Sequence, residues 1–236
     1  MIIPRIETIR VYRGRPLLLG HHMARLCLAP FDQERCEQQI LSACAPEVDC
    51  VVRLTWPDLL MEVRPLPDDL ESRLRGVHCV SAPAGLRRPT PELKTPDVAA
   101  SRAARAFAAE RAPAPSEALL GRGDGTYTEG AFTNLLWRMG QSLFAPTEDA
   151  LPGVARRRLL EVAAAVGLVP QPEARATAKI LHSADAVYVS SAVVEVAPVA
   201  SLDGLALRME APWRLDAWRA AYREPPEMPI RSLESR

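Results

Sequence analysis

Thr126-Tyr127-Thr128-Glu129-Gly130-Ala131-Phe132-Thr133-Asn134-Leu135-Leu136-Trp137 puts a carboxylate at the end of one short strand and an amide at the start of the next. Thr126 to Glu129 reads as a strand, Gly130 breaks it, and Thr133 to Trp137 resumes β structure. Upstream, Glu117 to Leu120 is a strand joined to it by the turn Gly121-Arg122-Gly123-Asp124-Gly125. Downstream, Ser142 to Ala145 closes a second hairpin around Met139-Gly140. Leu151-Pro152-Gly153 then leads into an amphipathic helix from Val154 to Val166, stopped by Gly167.

The rest of the chain extends this mixture. Ile6 to Tyr12 is rich in β-branched residues, Arg13-Gly14-Arg15 supplies a turn, and Pro16 to Leu19 resumes an apolar run. Helices are expected over His21 to Leu28 and Phe31 to Cys44. Val51 to Trp56 and Leu59 to Pro65 read as paired strands around Pro57-Asp58, and Gly76 to Ala82 as another strand. Pro83 to Pro96 holds four prolines and an Arg87-Arg88 pair, the composition of a connection. An Ala-rich helix follows over Asp97 to Arg111, capped by Thr95 or Asp97. Leu168 to Pro172 is a short strand, Ala176 to His182 a short helix, and Ala186 to Ser190 and Val193 to Pro198 strands. Pro212 to Tyr222 is a last helix before a Pro-rich tail. Strands and helices interleave without βαβ alternation, so the fold class is α+β. The expected division is an N-terminal domain over 1–84, a linker over 85–96 and a larger domain over 97–236.

Composition narrows the function. The 236 residues can bury a real core, and 48% hydrophobic with 25% charged residues is ordinary for a soluble protein. Twenty-nine bases balance 29 acids, which gives no support for a nucleic-acid binder, and aromatics at 5% offer few stacking platforms for bases. The five cysteines, Cys27, Cys36, Cys44, Cys50 and Cys79, are odd in number and irregularly spaced. They suit free thiols in a reducing compartment better than a disulfide framework or a zinc knuckle. His21 and His22 have no partner at metal-ligand spacing, so no metal is expected. The first residues lack the apolar core of a signal peptide, and no run approaches a membrane span. A cytoplasmic protein is expected.

Lysine occurs only at Lys94 and Lys179; the other bases are arginine. Where arginine serves every plain positive charge, a surviving lysine suggests chemistry arginine cannot do. Lysine can lose its proton and attack a carbonyl, whereas arginine stays protonated.

Five segments recur in order: His22-Met23-Ala24-Arg25-Leu26; Leu93-Lys94-Thr95; Thr128-Glu129-Gly130 with Thr133-Asn134-Leu135; Leu151-Pro152-Gly153-Val154-Ala155-Arg156; and Val189-Ser190-Ser191-Ala192 running to Pro198. Together they resemble the class IV aminotransferases, the fold-type IV group of pyridoxal-phosphate enzymes, over about Glu7 to Gly204. The resemblance implies a shortened N-terminal α+β domain, a larger barrel-like mixed α/β domain and a homodimer. It puts Lys94 in covalent contact with pyridoxal 5'-phosphate and makes it the proton carrier at the substrate carbon. Glu129 takes the position beside the ring nitrogen. Arg25, Val154, Ala155, Ser191 and Ala192 take the phosphate, the backbone N–H groups of Val154 and Ala155 being free at a helix start. Asn134 braces the site. Arg53 and Thr8 are candidates to face the substrate.

Two departures from the family pattern stand out. Threonines usual in both phosphate loops are replaced by Ala155 and Ala192, leaving Ser191 as the nearest expected hydroxyl. No tyrosine follows the lysine in Lys94-Thr95-Pro96-Asp97-Val98-Ala99, unlike branched-chain aminotransferases. Asn134-Leu135-Leu136-Trp137 looks more like the NLFW of aminodeoxychorismate lyases. The leading expectation is such a lyase, releasing pyruvate from 4-amino-4-deoxychorismate to give 4-aminobenzoate. An aminotransferase of small branched-chain or D-amino acids is the alternative, and a non-catalytic protein on this scaffold a further one.

Overall fold

The computed structural model describes residues 3–26, 30–171 and 174–225. Cys27, the Leu28 end of the first expected helix, Pro172 and the tail beyond 225 lie outside the described residues.

A small antiparallel sheet comes first. It contains β1 (Arg5–Tyr12), β2 (Arg15–Pro16), β3 (Cys50–Trp56) and β4 (Leu60–Arg64), in the order β2-β1-β3-β4. Two helices cover one face, α1 (Leu19–Leu26) and α2 (Pro30–Ala43). Period-two alternation sends Ile9, Val11, Val52 and Leu54 toward Met23, Leu26 and Ile40 of these helices. The opposite face carries Ile6, Thr8 and Arg53, with Thr8 directly across from Arg53.

The second sheet has ten strands. After α3 (Leu70–Arg75), a helix the sequence pattern did not suggest, β5 (Val77–Ser81) enters this sheet and not the first. The composition break at Pro83 therefore lies beyond the change of sheet, which falls between Arg64 and Val77. β5 has parallel partners on both sides, β13 and β6. Next, α4 (Ala99–Ala109) lays Ala104 and Ala108 on Val80, Ala118 and Leu120, where small side chains permit close approach. Its first N–H, at Ala99, donates to Asp97 Oδ1 at 3.2 Å, so the expected capping acid is used although Val98 is the cap residue.

The remaining elements are β6 (Ser116–Gly121), β7 (Thr126–Gly130), β8 (Asn134–Met139), β9 (Ser142–Phe144), α5 (Val154–Glu161), β10 (Val169–Pro170), β11 (Ala176–Thr177), α6 (Ala178–Ser183), β12 (Ala186–Ser191), β13 (Glu195–Leu202), β14 (Leu205–Ala206) and α7 (Pro212–Arg223). The sheet order is β10-β9-β8-β12-β13-β5-β6-β7-β11, with β14 paired to β13. The expected long helix from Val154 breaks at Val162 into a tight 3-10 turn over Ala163–Val166, ended by Gly167 at φ 71°. The tighter turn places Ala163 and Val166 in the core with Leu159 and Trp218.

Strand order explains the shape. β7 and β8 lie five ladder steps apart in the sheet, about 24 Å if it were flat at about 4.8 Å per step. Yet only Ala131, Phe132 and Thr133 join them, and four residue steps reach at most about 14 Å. The sheet must curl, and it forms a half-barrel. Both of its faces are packed. Along β8 and β12, Leu136, Ala186 and Tyr188 face α5 and α7, while Leu135, Trp137, Val187 and Val189 face the other core. Among the described residues no helix is long and apolar enough to cross a membrane.

Candidate active site

A cavity of about 390 Å3 opens where the first sheet, the β7–β8 turn and the start of α5 converge. That is within the size range of small-molecule and cofactor sites. All ten residues singled out in the sequence line it: Lys94, Glu129, Arg25, Val154, Ala155, Ser191, Ala192, Asn134, Arg53 and Thr8.

Lys94 sits in the Pro-rich connection between β5 and α4, outside regular structure. Its backbone is fixed nevertheless: the Lys94 carbonyl accepts from Ile6 N–H on β1 at 2.8 Å. Burial pulls the ammonium down to about 8, Glu7 opposing and Arg25, Arg88 and Arg53 assisting. Near neutral pH a usable fraction of this amine is unprotonated.

Glu129 is the next-to-last residue of β7, at 2% exposure. One oxygen, Oε2, accepts from Leu151 N–H at 3.1 Å, and Oε1 lies 3.8 Å from Arg88 Nε. Burial pushes its carboxyl up to about 7, with Arg88 and the Leu151 N–H pulling the other way. Arg88 is a residue the sequence reading left in the linker. It also donates to the Leu93 carbonyl at 2.7 Å, so it holds the segment just ahead of Lys94. The Arg87-Arg88 pair, six residues ahead of Lys94, was the available signal.

Asn134 reaches across to the turn. Its amide donates to the Leu151 carbonyl at 2.9 Å while Leu151 N–H binds Glu129. Gly153 follows closely: a Cβ there would stand 1.6 Å from Asn134 Oδ1. Only glycine lets the chain pass, although its φ of −67° is open to any residue. Beyond it, Val154 and Ala155 begin α5, and their N–H groups have no carbonyl a turn earlier to bind.

Arg25 reaches this end from α1. It grips Glu7 through Nε at 2.7 Å and Nη2 at 2.6 Å, and Nη1 donates to the Pro152 carbonyl at 3.2 Å. Thr8 faces the cavity. Arg10, two residues on, is drawn off by Glu195 at 3.0 Å and by the Val193 carbonyl at 2.9 Å. Ser191 is engaged as well, its Oγ accepting from Val194 N–H at 3.2 Å. The Ser190 hydroxyl is fully buried and has no hydrogen-bond partner among the described residues, and Ser190 lines the cavity. Sequence reasoning missed it because the motif drew attention one position on.

Pyridoxal phosphate, the cofactor implied by the sequence, fits these residues. An amine, a buried acid, a clamped guanidinium, two free N–H groups and an orphaned hydroxyl share one cavity. A buried polar atom left unpaired costs free energy, so the Ser190 hydroxyl is matched to a polar occupant. Ala155 and Ala192 line the same cavity and carry no hydroxyl.

Comparison with known proteins places the chain in a family. The family model for amino-transferase class IV matches residues 6–202. Aminodeoxychorismate lyase of Bacillus subtilis (strain 168) is 32% identical over 82 residues, covering 34% of this chain and 28% of that protein. The branched-chain-amino-acid aminotransferase of Escherichia coli (strain K12) is 33% identical over 84 residues, covering 35% of this chain and 27% of that protein. The matched stretch thus spans little more than a quarter of either curated relative. A fold IV-transaminase from Curtobacterium pusillum superposes with a TM-score of 0.81 at 19% identity, covering 94% of this chain and 87% of that one. A putative 4-amino-4-deoxychorismate lyase from Legionella pneumophila gives 0.74 at 21%, covering 92% and 89%. At such identities these two structures establish the fold.

Proposed function

Because the chain belongs to the class IV aminotransferases, a family of pyridoxal-phosphate enzymes, we propose that it is a lyase resembling aminodeoxychorismate lyase. The carrying observation is the single cavity that holds the Lys94 amine, the Glu129 carboxyl and the Arg25–Val154 anion end together. Bound there, pyridoxal phosphate supplies an aldehyde for amines and a ring that accepts electron density from the neighbouring carbon.

Each residue then has a task. Lys94 would hold the cofactor through Nζ, and the same Nζ would take the proton from the carbon bearing the substrate amine. Glu129 would meet the ring nitrogen and keep a proton there. Arg25, the N–H groups of Val154 and Ala155, and the Ser190 hydroxyl hold the phosphate end. In the lyase reading the ring carbon beside the deprotonated one loses its enolpyruvyl oxygen. The departing enol takes up a proton to become pyruvate, and the ring left behind is 4-aminobenzoate.

Two guanidinium groups favour this substrate. Of the six arginines lining the cavity, Arg53 and Arg102 have no counter-ion within 4 Å among the described residues. 4-Amino-4-deoxychorismate carries two carboxylates, one for each of these guanidinium groups. The absence of a tyrosine shortly after Lys94 points the same way. The aminotransferase reading rests on the branched-chain relative and uses the same residues up to proton removal.

A cytoplasmic homodimer completes the proposal. Free thiols at Cys36, Cys44, Cys50 and Cys79 suit a reducing compartment. The exposed apolar residues Met61 and Val63, on one face of the edge strand β4, suit a covered face.

The test supplies the protein with pyridoxal phosphate and 4-amino-4-deoxychorismate, and follows 4-aminobenzoate fluorescence and pyruvate together. The expected result is equimolar release, with no change in the cofactor absorbance on adding L- or D-amino acids. Conversion of that absorbance by an amino acid, without 4-aminobenzoate, establishes the aminotransferase. No cofactor absorbance at all establishes the non-catalytic scaffold.

A further inference from the structure

We propose that Glu7 is the positioning residue for the anion end of the cavity, aiming the Arg25 guanidinium. This rests on reading Arg25 as the phosphate contact. Glu7 lies on β1 between two cavity-facing residues, Ile6 and Thr8, and alternation turns its side chain the other way, under α1. It is 1% exposed. A carboxylate so placed is costly unless it is fully paired.

It is fully paired. Oε1 accepts from Arg25 Nε at 2.7 Å. Oε2 accepts from Arg25 Nη2 at 2.6 Å and from His22 Nδ1 at 2.6 Å. Burial alone would raise the Glu7 carboxyl, but His22 and Arg25 hold it well below the usual range. An ionised carboxylate only accepts, so His22 Nδ1 carries the proton. His22 and Arg25 are three residues apart on α1 and share a helix face, which lets one acid hold both.

The fork fixes direction as well as charge. Two parallel N–H···O bonds set the plane of the guanidinium. The edge left over, Nη1, points to the Pro152 carbonyl, one residue before Gly153 and the start of α5. Arg25 is thus clamped between β1 and the phosphate turn before any anion arrives. With hydroxyls missing at Ala155 and Ala192, this clamp carries more of the phosphate recognition. β1 ties the clamp to the reacting amine, because Ile6, the neighbour of Glu7, holds the Lys94 carbonyl.

The experiment compares pyridoxal phosphate with pyridoxal, which lacks the phosphate, as ligands of the apoprotein of wild type, Glu7→Gln, Arg25→Ala and the double variant. Dissociation constants come from absorbance titration and Tm from melting. Glu7→Gln is expected to weaken pyridoxal phosphate about tenfold and pyridoxal less than twofold, with the double variant no weaker than Arg25→Ala. Equal weakening of both ligands, or additive single effects, overturns the inference. So does an unchanged Glu7→Gln beside a weakened Arg25→Ala. If Arg25→Ala itself keeps the full preference for the phosphate form, the phosphate reading of Arg25 fails instead. Glu7→Asp keeps the charge but withdraws the oxygens from the fork; should Glu7→Gln not fold, Glu7→Asp must show the same selective loss.

Discussion

Lys94 illustrates how one residue is read at three levels. Its rarity in an arginine-rich chain is a matter of composition, its place in Leu93-Lys94-Thr95 a matter of motif, and its lowered basicity a matter of burial. Replacing it with arginine keeps the charge and removes the nucleophile. Lys94→Arg is expected to bring turnover down by at least about a thousandfold, consistent with the large losses seen when a covalent catalyst is deleted. Turnover within tenfold of wild type would remove Lys94 from the chemistry. Arg25→Ala is a gentler change. It deletes a charge-assisted contact of about 1.5–3 kcal/mol, so the dissociation constant for pyridoxal phosphate should rise roughly 10- to 100-fold. Equilibrium titration of the apoprotein reads this directly, and an unchanged constant would free Arg25 from the phosphate.

Among the elements, the turn from Leu151 to Val154 is the most tightly determined. Glu129, Asn134 and the start of α5 meet there through two hydrogen bonds to Leu151 and one contact that admits no Cβ. Gly153→Ala is therefore expected to displace Asn134 and tilt the N–H groups of Val154 and Ala155. Cofactor affinity should fall at least tenfold, and because Val154 and Ala155 belong to a core, a lower Tm should accompany the loss. A crystal structure of that variant with Asn134 unmoved, or an unchanged affinity, would contradict this. Nearly all strands flanking the turn were legible from β-branched runs and glycine punctuation. The membership of β5 in the second sheet was not, because parallel pairing with β6 and β13 joins residues far apart in sequence. The helix α3 was obscured by its polar sequence, LESRLR, in which only Leu70 is buried. In the site, residues within the ordered motifs were legible. Arg88 and Glu7 were not, since their roles depend on which charged partners the fold delivers to them. Ser190 and Ser191 cannot be told apart by motif, only by which hydroxyl the backbone already occupies.

At the scale of the whole molecule, the buried acid of the site leaves a mark on stability. Glu129 has its carboxyl raised from 4.5 to about 7, chiefly by burial, against the pull of Arg88 and Leu151 N–H. Between those two values the folded apoprotein keeps a proton that the unfolded chain has released. Stability therefore falls as pH rises through this window, by about 1.4 kcal/mol per unit at most. The full loss, complete above about pH 7, is of the order of 3 kcal/mol. Glu117 and Glu195 are raised as well and add to the slope, while Glu7 is lowered and opposes it at the acid end. The difference between wild type and Glu129→Gln isolates the one group, since the amide does not titrate. Denaturant unfolding of the two apoproteins should match most closely near pH 5 and diverge by pH 8, with wild type losing more. Bound cofactor should abolish the divergence, because the protonated ring nitrogen gives the Glu129 carboxylate a partner and lowers its pKa below the window. Curves that stay parallel from pH 5 to 8 without cofactor would mean that Glu129 is already ionised in the empty site. Curves that diverge equally with and without it would mean that Glu129 does not meet the ring nitrogen.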